Sequence, residues 1–540
     1  MNSDPIARQP SDIAIAPRIG HVVLIWFISS IILFLCLSPN FNKPLQWDEV
    51  DYIQAARQGF INNATDSTAI APLDLIELII SKLKNTKVQV KPSYVESNDV
   101  FMLRHTHPPF LQYALILVGR DHLNPGNEWI QRFVQFAAGT VMIATMLWGY
   151  LKLAGPSISY SGLVTTAAAG LLCGSFVSGE LNCHLWIAIS LVPTCLSLGQ
   201  FMSSPSRKNG VITGCWIGVN FLGLQTGVFV AFWSVIAIGI SILLKTGSED
   251  LLENGQFKYK MLDWIKRSCW MLIGFLFIIL ITYPAALTRL SLLRIFALYA
   301  FVIMKGSEYA SVSTNYNRYL ALTFPILIIA FIGLIQTLIH IRHKRSNHHT
   351  AFAVVGFGYG LVLLKFLLNI TYITPALAII AVLGSASLSA FHKRTIETIV
   401  CLLFVISTGY ILYSKPDHLD YGTLEGYSNL GALVEKTDAF VEGGTILQYY
   451  IPDRFDKFLP ITTGDGGKTL IRRDTSTLQY LTITPEELAG KIVILGSFNG
   501  HPMYEWERSL PASVKRLQVP GMGGRIYQFP DAPIISESKN

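Results

Sequence analysis

The sequence predicts a mainly α protein: a polytopic transmembrane helix bundle of about eleven spans, followed by a small α/β domain. Of the 540 residues, 51% are hydrophobic and 14% are charged, which is too apolar for an exterior in water. The apolar residues gather in runs of roughly 16 to 24, long enough at 1.5 Å per residue to cross a hydrocarbon core about 30 Å thick. Helices satisfy their own backbone in lipid, and the short alternating strands of a membrane barrel are missing from the sequence.

Eleven apolar runs are the predicted spans. The fifth and sixth lie so close together, around Gly223 and Gly227, that one long tilted helix is the alternative. With a cytoplasmic N-terminus, eleven spans place the Lys and Arg residues of the short loops on the cytoplasmic side, as the positive-inside rule requires. The predicted spans are residues 21–38, 130–150, 160–178, 185–202, 211–225, 227–244, 268–286, 319–340, 351–368, 375–391 and 396–413.

This topology divides the chain into a transmembrane module, 1–413, and an extracytoplasmic domain, 414–540. A large first outer loop, 39–129, and a second, 287–318, face the same side as that domain. We expect functional residues in these outer stretches. We also expect an integral, multi-pass protein of a bacterial inner membrane, although the sequence itself leaves open whether the outer side is a periplasm or a lumen.

The C-terminal stretch is less apolar and predicts two units of a helix followed by a strand. In the first, Ser428–Phe440 is the predicted helix and Thr445–Ile451 the strand; in the second, Glu486–Gly490 leads into Lys491–Phe498. A small soluble α/β domain follows from this pattern, either to bind an acceptor or to cap the membrane module.

Charge and cysteine usage exclude two classes. The net charge is +7, but Lys and Arg are spread over many loops and form no basic face with interleaved aromatics, so we expect no nucleic-acid partner. The seven cysteines show no CxxC spacing and lie in or beside apolar runs, which predicts neither a disulfide framework nor a zinc site.

Three carboxylates follow the first span. Asp48, Glu49 and Asp51 stand at the start of a predicted helix, next to Trp47 and Tyr52. Acidic residues suit the positive end of a helix dipole, which is a purely structural interpretation. The group lies only about ten residues beyond a spanning segment, however, where ionisable clusters are costly and usually functional.

A second polar group precedes the second span. Arg104 is followed by His107, Pro108 and Pro109, which open an apolar helix, and Arg132 stands at the outer mouth of the span. Proline is common in a first helical turn, and a lone histidine is more often structural than a ligand. Together with the carboxylates, these residues place several signals on one surface.

These motifs resemble the first loop of the GT-C glycosyltransferases that use polyprenyl-phosphate sugars, especially the protein O-mannosyltransferase and aminoarabinose transferase group. The matching features are the Asp48-Glu49 pair, the His-Pro-Pro step at 107–109, Arg132, and the polar turn 180–184. The similarity covers roughly the first 200 residues and then thins to topology. The stretch 61–102 is longer than the family pattern, and Asp51 has no clear counterpart, which leaves the substrate undefined.

The resemblance implies a GT-C-like bundle that transfers a sugar from a polyprenyl or dolichyl phosphate to an acceptor hydroxyl outside the cytoplasm. It assigns the general base to Asp48 and a positioning role to Glu49. Arginine suits phosphate, and a lysine inside the ninth span is costly without a function, although cations at helix ends also snorkel. The predicted substrate-binding residues are His107, Arg132, Arg104, Lys365, Glu180 and Tyr52.

The partners implied are the lipid-linked donor, membrane lipids, and a protein, lipid or glycan acceptor. No metal ligand is assigned, while Mg²⁺ or Mn²⁺ beside the phosphate stays an option. A transporter is the main alternative, although we find no inverted repeat or paired broken helices. An O-antigen ligase or polymerase, which would use a late loop, and a structural scaffold are the others.

Overall fold

The structure, a computed structural model, describes most of the membrane module and much of the C-terminal domain. Gln46, and the side chains of Trp47 and Asp48, lie outside the described part. The described residues are 17, 19–45, 47–61, 80, 84, 109–224, 226–245, 256–288, 316–342, 347–364, 370–390, 394–414, 423–434, 438–442, 444–451, 458–464, 468–473, 480–495, 505–522 and 525–531.

Helices lie at all eleven predicted spans, and two further helices, α2 and α3, belong to the first loop. The fifth and sixth spans are separate helices, α7 and α8, because the chain leaves the helix at Leu224. The helices up to residue 414 are α1 Ile19–Leu37, α2 Trp47–Arg57, α3 Phe110–Ile116, α4 Glu128–Ala154, α5 Tyr160–Val177, α6 Cys183–Ser203, α7 Arg207–Gly223, α8 Gly227–Lys245, α9 Gln256–Thr282, α10 Ala285–Thr288, α11 Tyr316–Arg342, α12 Asn347–Leu364, α13 Ile370–Ala390 and α14 Arg394–Ser414.

Eight helices in the described part of the chain are long and apolar enough to cross a membrane: α1, α4, α5, α6, α8, α9, α13 and α14. Of the other predicted spans, α7 has 17 residues, and the apolar part of α11 is Thr323–Ile339. The predicted mainly α, multi-pass fold is confirmed, and the count of eleven stays a prediction.

The bundle has a buried centre and an apolar outer face. Helices α5, α6 and α13 bury most of their residues, whereas α1, α9 and α14 expose most of theirs. On α1 the exposed side chains include Val23, Leu24, Phe27 and Leu35. Apolar faces of this extent are unstable in water and suit a hydrocarbon solvent.

Glycines lie where helices α7 and α9 pack against each other. A Cβ atom at Gly214 of α7 would collide with the Met271 carbonyl of α9, and one at Gly274 of α9 would collide with the Val211 carbonyl of α7. Two glycines therefore let these backbones meet, as small residues commonly do between membrane helices.

The C-terminal domain is built on a seven-stranded sheet in the order β4-β3-β2-β1-β5-β7-β6. Strand β1 pairs in parallel with β2 and β5, and the remaining pairs are antiparallel. The elements are α15 Leu424–Val434, β1 Ala439–Glu442, α16 Gly444–Tyr450, β2 Phe458–Gly464, β3 Thr469–Arg473, β4 Tyr480–Thr482, α17 Pro485–Leu488, β5 Ile492–Leu495, α18 Glu505–Arg508, β6 Lys515–Leu517 and β7 Arg525–Gln528.

Alternate residues of the sheet enter two different cores. On β5, Ile492 and Ile494 belong to the core that continues through α15 and α16 into the helix bundle. Val493 and Leu495 belong to a second core on the other face of the sheet. The period of two along a strand thus fastens the domain to the membrane module on one face only.

One prediction for this domain is confirmed, one is confirmed in part and one is wrong. The helix at 486–490 and the strand at 491–498 are found as α17 and β5. The predicted strand Thr445–Ile451 is instead helix α16, and the predicted helix Ser428–Phe440 stops at Val434, before β1. The buried side chains of Ile446, Leu447 and Tyr449 lie on one face of α16, and this burial overrides the local strand preference.

Candidate active site

The site is built where α1 gives way to α2. Helix α1 ends at Leu37, a short turn follows at Ser38–Asn40, and α2 begins at Trp47. Asp48 and Glu49 therefore occupy the first turn of α2, where unpaired backbone amides and the helix dipole favour negative charge. We call this part of the molecule, together with the start of α4 and the turn 178–182, the site end of the bundle.

Arg132 of α4 ties this region together. Its Nε donates to Glu49 Oε1 at 3.1 Å, and its Nη2 donates to Glu49 Oε2 at 2.9 Å. The remaining N–H groups donate to three carbonyls of the preceding loop: Asn40, Lys43 at 2.6 Å and Pro44 at 2.8 Å. A guanidinium has five N–H donors, and all five are used inside the protein.

The Glu49–Arg132 pair is almost fully enclosed. Each of the two side chains is 2% exposed. A bidentate fork between a guanidinium and a carboxylate is the strong form of an ion pair, and burial of both charges makes each depend on the other. The pair therefore fixes the direction of the first turn of α2.

A third segment joins the same carboxylate. The backbone amide of Leu181 donates to Glu49 Oε1 at 2.8 Å. Gln135, one turn along α4 from Arg132, donates to the carbonyls of Val177 and Asn182 at 2.9 and 2.8 Å. The turn between α5 and α6 is thus locked to α4 and to the first loop.

The structure places the other predicted residues unevenly. Tyr52 and Asp51 are buried in α2. Glu180 is half-buried in the turn next to Leu181 and close enough to Arg132 for its charge to act on the guanidinium. Four predicted features lie outside the described part: the side chain of Asp48, and residues Arg104, His107 and Lys365. The apolar residues of the stretch 72–83 also predict a helix that rests on the membrane surface, and this stretch lies outside the described part apart from Ile80.

Helix α3 continues the site along the bundle. The Tyr113 hydroxyl donates to the Thr282 carbonyl of α9 at 2.5 Å, and the ring of Phe110 packs 5.0 Å from that of Trp186 on α6. Burial raises the pKa of Tyr113 above its ordinary value, so the hydroxyl stays protonated and donates. The predicted helix after Pro109 is confirmed.

Sequence reasoning missed a set of tyrosines in the C-terminal domain. The Leu45 amide, just before α2, donates to the Tyr450 hydroxyl at 2.6 Å, and that hydroxyl donates to Glu128 at the start of α4 at 3.2 Å. Tyr449 lies beside it and contacts the loop before α4. Two adjacent tyrosines in a short apolar stretch give no local signal for contacts hundreds of residues away.

The described residues offer no ready metal centre. Among the described residues, no three His, Cys, Asp or Glu side chains come together. A transferred phosphate usually brings its Mg²⁺ to one or two carboxylates, and the Asp48 side chain is not among those described. A divalent cation therefore stays a prediction from the chemistry.

Comparisons with known proteins find likeness in structure but not in sequence. No protein-family model matches the chain, and no curated protein matches it. A number of solved structures resemble it, among them three that are each 11% identical in sequence. ArnT from Cupriavidus metallidurans matches in the apo state with a TM-score of 0.48 over 94% of this chain and 97% of its own. The same protein bound to undecaprenyl phosphate gives 0.47 over 94% and 98%.

The third structure is the oligosaccharyltransferase AglB from Archaeoglobus fulgidus, in complex with an inhibitory peptide and a dolichol-phosphate. It matches with a TM-score of 0.44 over 79% of this chain and 63% of its own. The chain thus spans less than two thirds of the oligosaccharyltransferase's length. At this level of likeness, the roles of individual residues rest on the geometry of the site.

Proposed function

We propose that this chain is a membrane glycosyltransferase that moves a sugar from a polyprenyl or dolichyl phosphate to an acceptor hydroxyl outside the cytoplasm. The observation that carries the proposal is the fixed first turn of α2, in which Asp48 precedes the buried Glu49 of the Arg132 pair. A general base depends on being held in place, and this turn is held from three segments. The apolar faces of the bundle support a donor with a lipid carrier.

The proposed reaction is a single displacement with inversion. The Asp48 carboxylate takes the proton of the acceptor hydroxyl, and the acceptor oxygen forms a bond to the anomeric carbon. The bond from that carbon to the phosphate oxygen breaks, and its electron pair leaves with the lipid phosphate. An ordinary aspartate is ionised at neutral pH and is ready to act as the base.

Arg132 has no N–H group left for a phosphate, which favours a positioning role for it and for Glu49. The negative charge that develops on the leaving phosphate must be stabilised in the transition state. We assign this stabilisation to residues other than Arg132. Tyr52 and Glu180 are proposed to face the acceptor. The proposed phosphate ligands are Arg104, His107 and Lys365.

The decisive experiment measures transfer by purified protein in lipid. Wild type and Asp48→Asn are compared for transfer of radiolabelled mannose or aminoarabinose from polyprenyl phosphate, with and without EDTA. Asp48→Asn is expected to lower kcat by about 100- to 10,000-fold, the usual contribution of a general base. Its unfolding temperature should match wild type, because the change keeps the size of the side chain.

The matched control is Asp121→Asn, an exposed aspartate in the turn before α4, which should transfer at the wild-type rate. Equal rates for Asp48→Asn and wild type would refute the assignment of the base. If wild type transfers none of the labelled sugars but its proteoliposomes accumulate label, the result would favour a transporter over a glycosyltransferase. If EDTA abolishes activity and added Mg²⁺ or Mn²⁺ restores it, the reaction requires a divalent cation.

A further inference from the structure

The C-terminal domain reaches the proposed active site through one hydroxyl. Tyr450 accepts a hydrogen bond from the Leu45 amide and donates one to Glu128 Oε1. The Leu45 side chain is fully buried and Glu128 is nearly so. Glu128 also accepts the Gly126 amide at 3.0 Å. A single tyrosine oxygen therefore joins Leu45, two residues before the start of α2, to the first residue of α4.

Its neighbour Tyr449 holds the other end of α2. The Tyr449 hydroxyl donates to the Leu123 carbonyl at 3.3 Å and accepts from Gln131 Nε2 at 3.2 Å. The guanidinium of Arg57, the last residue of α2, lies 4.8 Å from the centre of the Tyr449 ring. Arg57 also donates to the Leu123 carbonyl at 3.0 Å and to Asn124 Oδ1 at 2.8 Å.

The two rings are themselves fixed. Tyr450 stacks on Tyr427 of α15 with centroids 4.4 Å apart and planes at 15°, and it meets Tyr449 edge-on at 4.8 Å. Burial raises the pKa of both Tyr449 and Tyr450, so their hydroxyls stay protonated across the neutral range. Two rigid aromatic side chains thus carry dependable donors at low cost in conformational entropy.

Helix α2 is consequently held at both ends by adjacent residues of α16. The apolar face between these ends, with Val50, Ile53 and Ala56, lies in the same core as Leu447 of α16. A helix this short, with 11 residues, has little stability of its own. The position of its first turn depends on what fastens its ends.

We propose that the C-terminal domain positions the active site, with Tyr450 and Tyr449 as positioning residues for the turn that carries Asp48. The inference rests on the proposed function for its kinetic part only. Because the hydroxyl of Tyr450 acts on the backbone before α2 and not on substrate, its loss should lower kcat and leave KM for the lipid donor unchanged.

The test compares Tyr450→Phe with wild type in two measurements. Phenylalanine keeps the ring stacked on Tyr427 and removes only the hydroxyl. Hydrogen–deuterium exchange of the peptide covering residues 41–49 should show the Leu45 amide exchanging at least tenfold faster, since it loses its acceptor. In the transfer assay, kcat should fall by roughly tenfold, which is about the effect on a barrier of losing the neutral hydrogen bond between Leu45 and Tyr450.

The control is Tyr527→Phe in the same domain. The Tyr527 hydroxyl donates to Glu507 Oε1 at 2.5 Å in the second core, on the face of the sheet turned away from the bundle. Burial raises the pKa of Tyr527 to about 12, so the control also removes a protonated buried hydroxyl. It should leave both the Leu45 exchange rate and kcat unchanged.

The two measurements separate this inference from the proposed function. Unchanged exchange at Leu45 in Tyr450→Phe would overturn the inference whatever the activity. Faster exchange, with wild type inactive towards every donor, would support the mechanical link and count against the proposed function. Faster exchange with an unchanged kcat in an active enzyme, or an effect on KM alone, would overturn the positioning role.

Discussion

The two ends of the helix bundle each bury a glutamate, and they stabilise it by different means. At the site end, Glu49 is almost completely buried and receives a guanidinium fork and a backbone amide. At the opposite end, where α4 finishes and α5 begins, Glu397 is 5% exposed and receives the hydroxyls of Ser159 and Ser389. It also stands in the first turn of α14, at the positive end of the helix dipole.

The contacts around Glu49 fix the position of its carboxylate, whereas those around Glu397 only supply hydrogen bonds to a buried acidic side chain. The hydroxyls around Glu397 rotate, and they meet further hydroxyls, such as that of Tyr150, which lies 2.9 Å from Ser389 Oγ. The fork between Arg132 and Glu49 is planar and directional, and the same guanidinium holds three loop carbonyls. The rigid arrangement is at the end where the proposed chemistry requires a fixed carboxylate.

Among the substitutions that test this comparison, Arg132→Met is expected to cause the largest loss of stability. The change leaves the Glu49 carboxylate buried without its counter-ion, and breaking a buried pair in this way costs about 3–5 kcal/mol. The apparent free energy of unfolding in detergent should fall by that amount, as measured by denaturant titration, and transfer should be lost with it.

The double variant Glu49→Met, Arg132→Met separates the ion pair from the rest of the network. Removing the second charge should recover part of the loss, because two apolar side chains can replace a buried pair at little cost. The recovery is expected to be incomplete, since the carbonyls of Asn40, Lys43 and Pro44 still lack their donor. A double variant no more stable than Arg132→Met would show that the pair contributes little coupling.

The sequence predicts most of the helices, which depend on local residues, but few of the contacts between distant segments. Apolar runs give the helices because each helix closes its own hydrogen bonds, and the break at Leu224 settles the open question of the fifth and sixth spans in favour of two helices. Depth beyond the first span pointed to Glu49, and the family resemblance pointed to Arg132. Their pairing across 83 residues follows from no spacing rule.

The misread strand at 445–451 has the same cause. Its residues satisfy a local preference for strand, but the contacts that decide their conformation lie far away in the chain. Tyr450 bonds to Leu45 across 405 residues, and Tyr449 bonds to Gln131 across 318. Apolar and aromatic side chains alone carry no information on these partners, so neither helix α16 nor its contacts with the first loop and α4 could be predicted.

An intermediate loss of stability is expected for Gly162→Ala at the opposite end of the bundle. A Cβ atom there would collide with the hydroxyl oxygens of Tyr150 and Ser389, and overpacking of this kind costs about 1–3 kcal/mol. Gly409→Ala is the matched control, since a Cβ on that helical glycine meets nothing within 4 Å. The control should be neutral or stabilising, because alanine favours helix. Equal stability of the two variants would mean that the hydroxyl cluster is loosely packed.

The smallest loss of stability is expected for Glu397→Gln. Glutamine keeps a carbonyl oxygen to accept from Ser159 and Ser389, so about 0.5–1.5 kcal/mol should be lost with the weaker acceptor. Transfer activity should stay at the wild-type level, because the change lies at the far end of α4 and α5 from Glu49. A loss as large as that of Arg132→Met would contradict the distinction between the two ends. It would mean that the charge of Glu397, and not its capacity to accept hydrogen bonds, stabilises the opposite end.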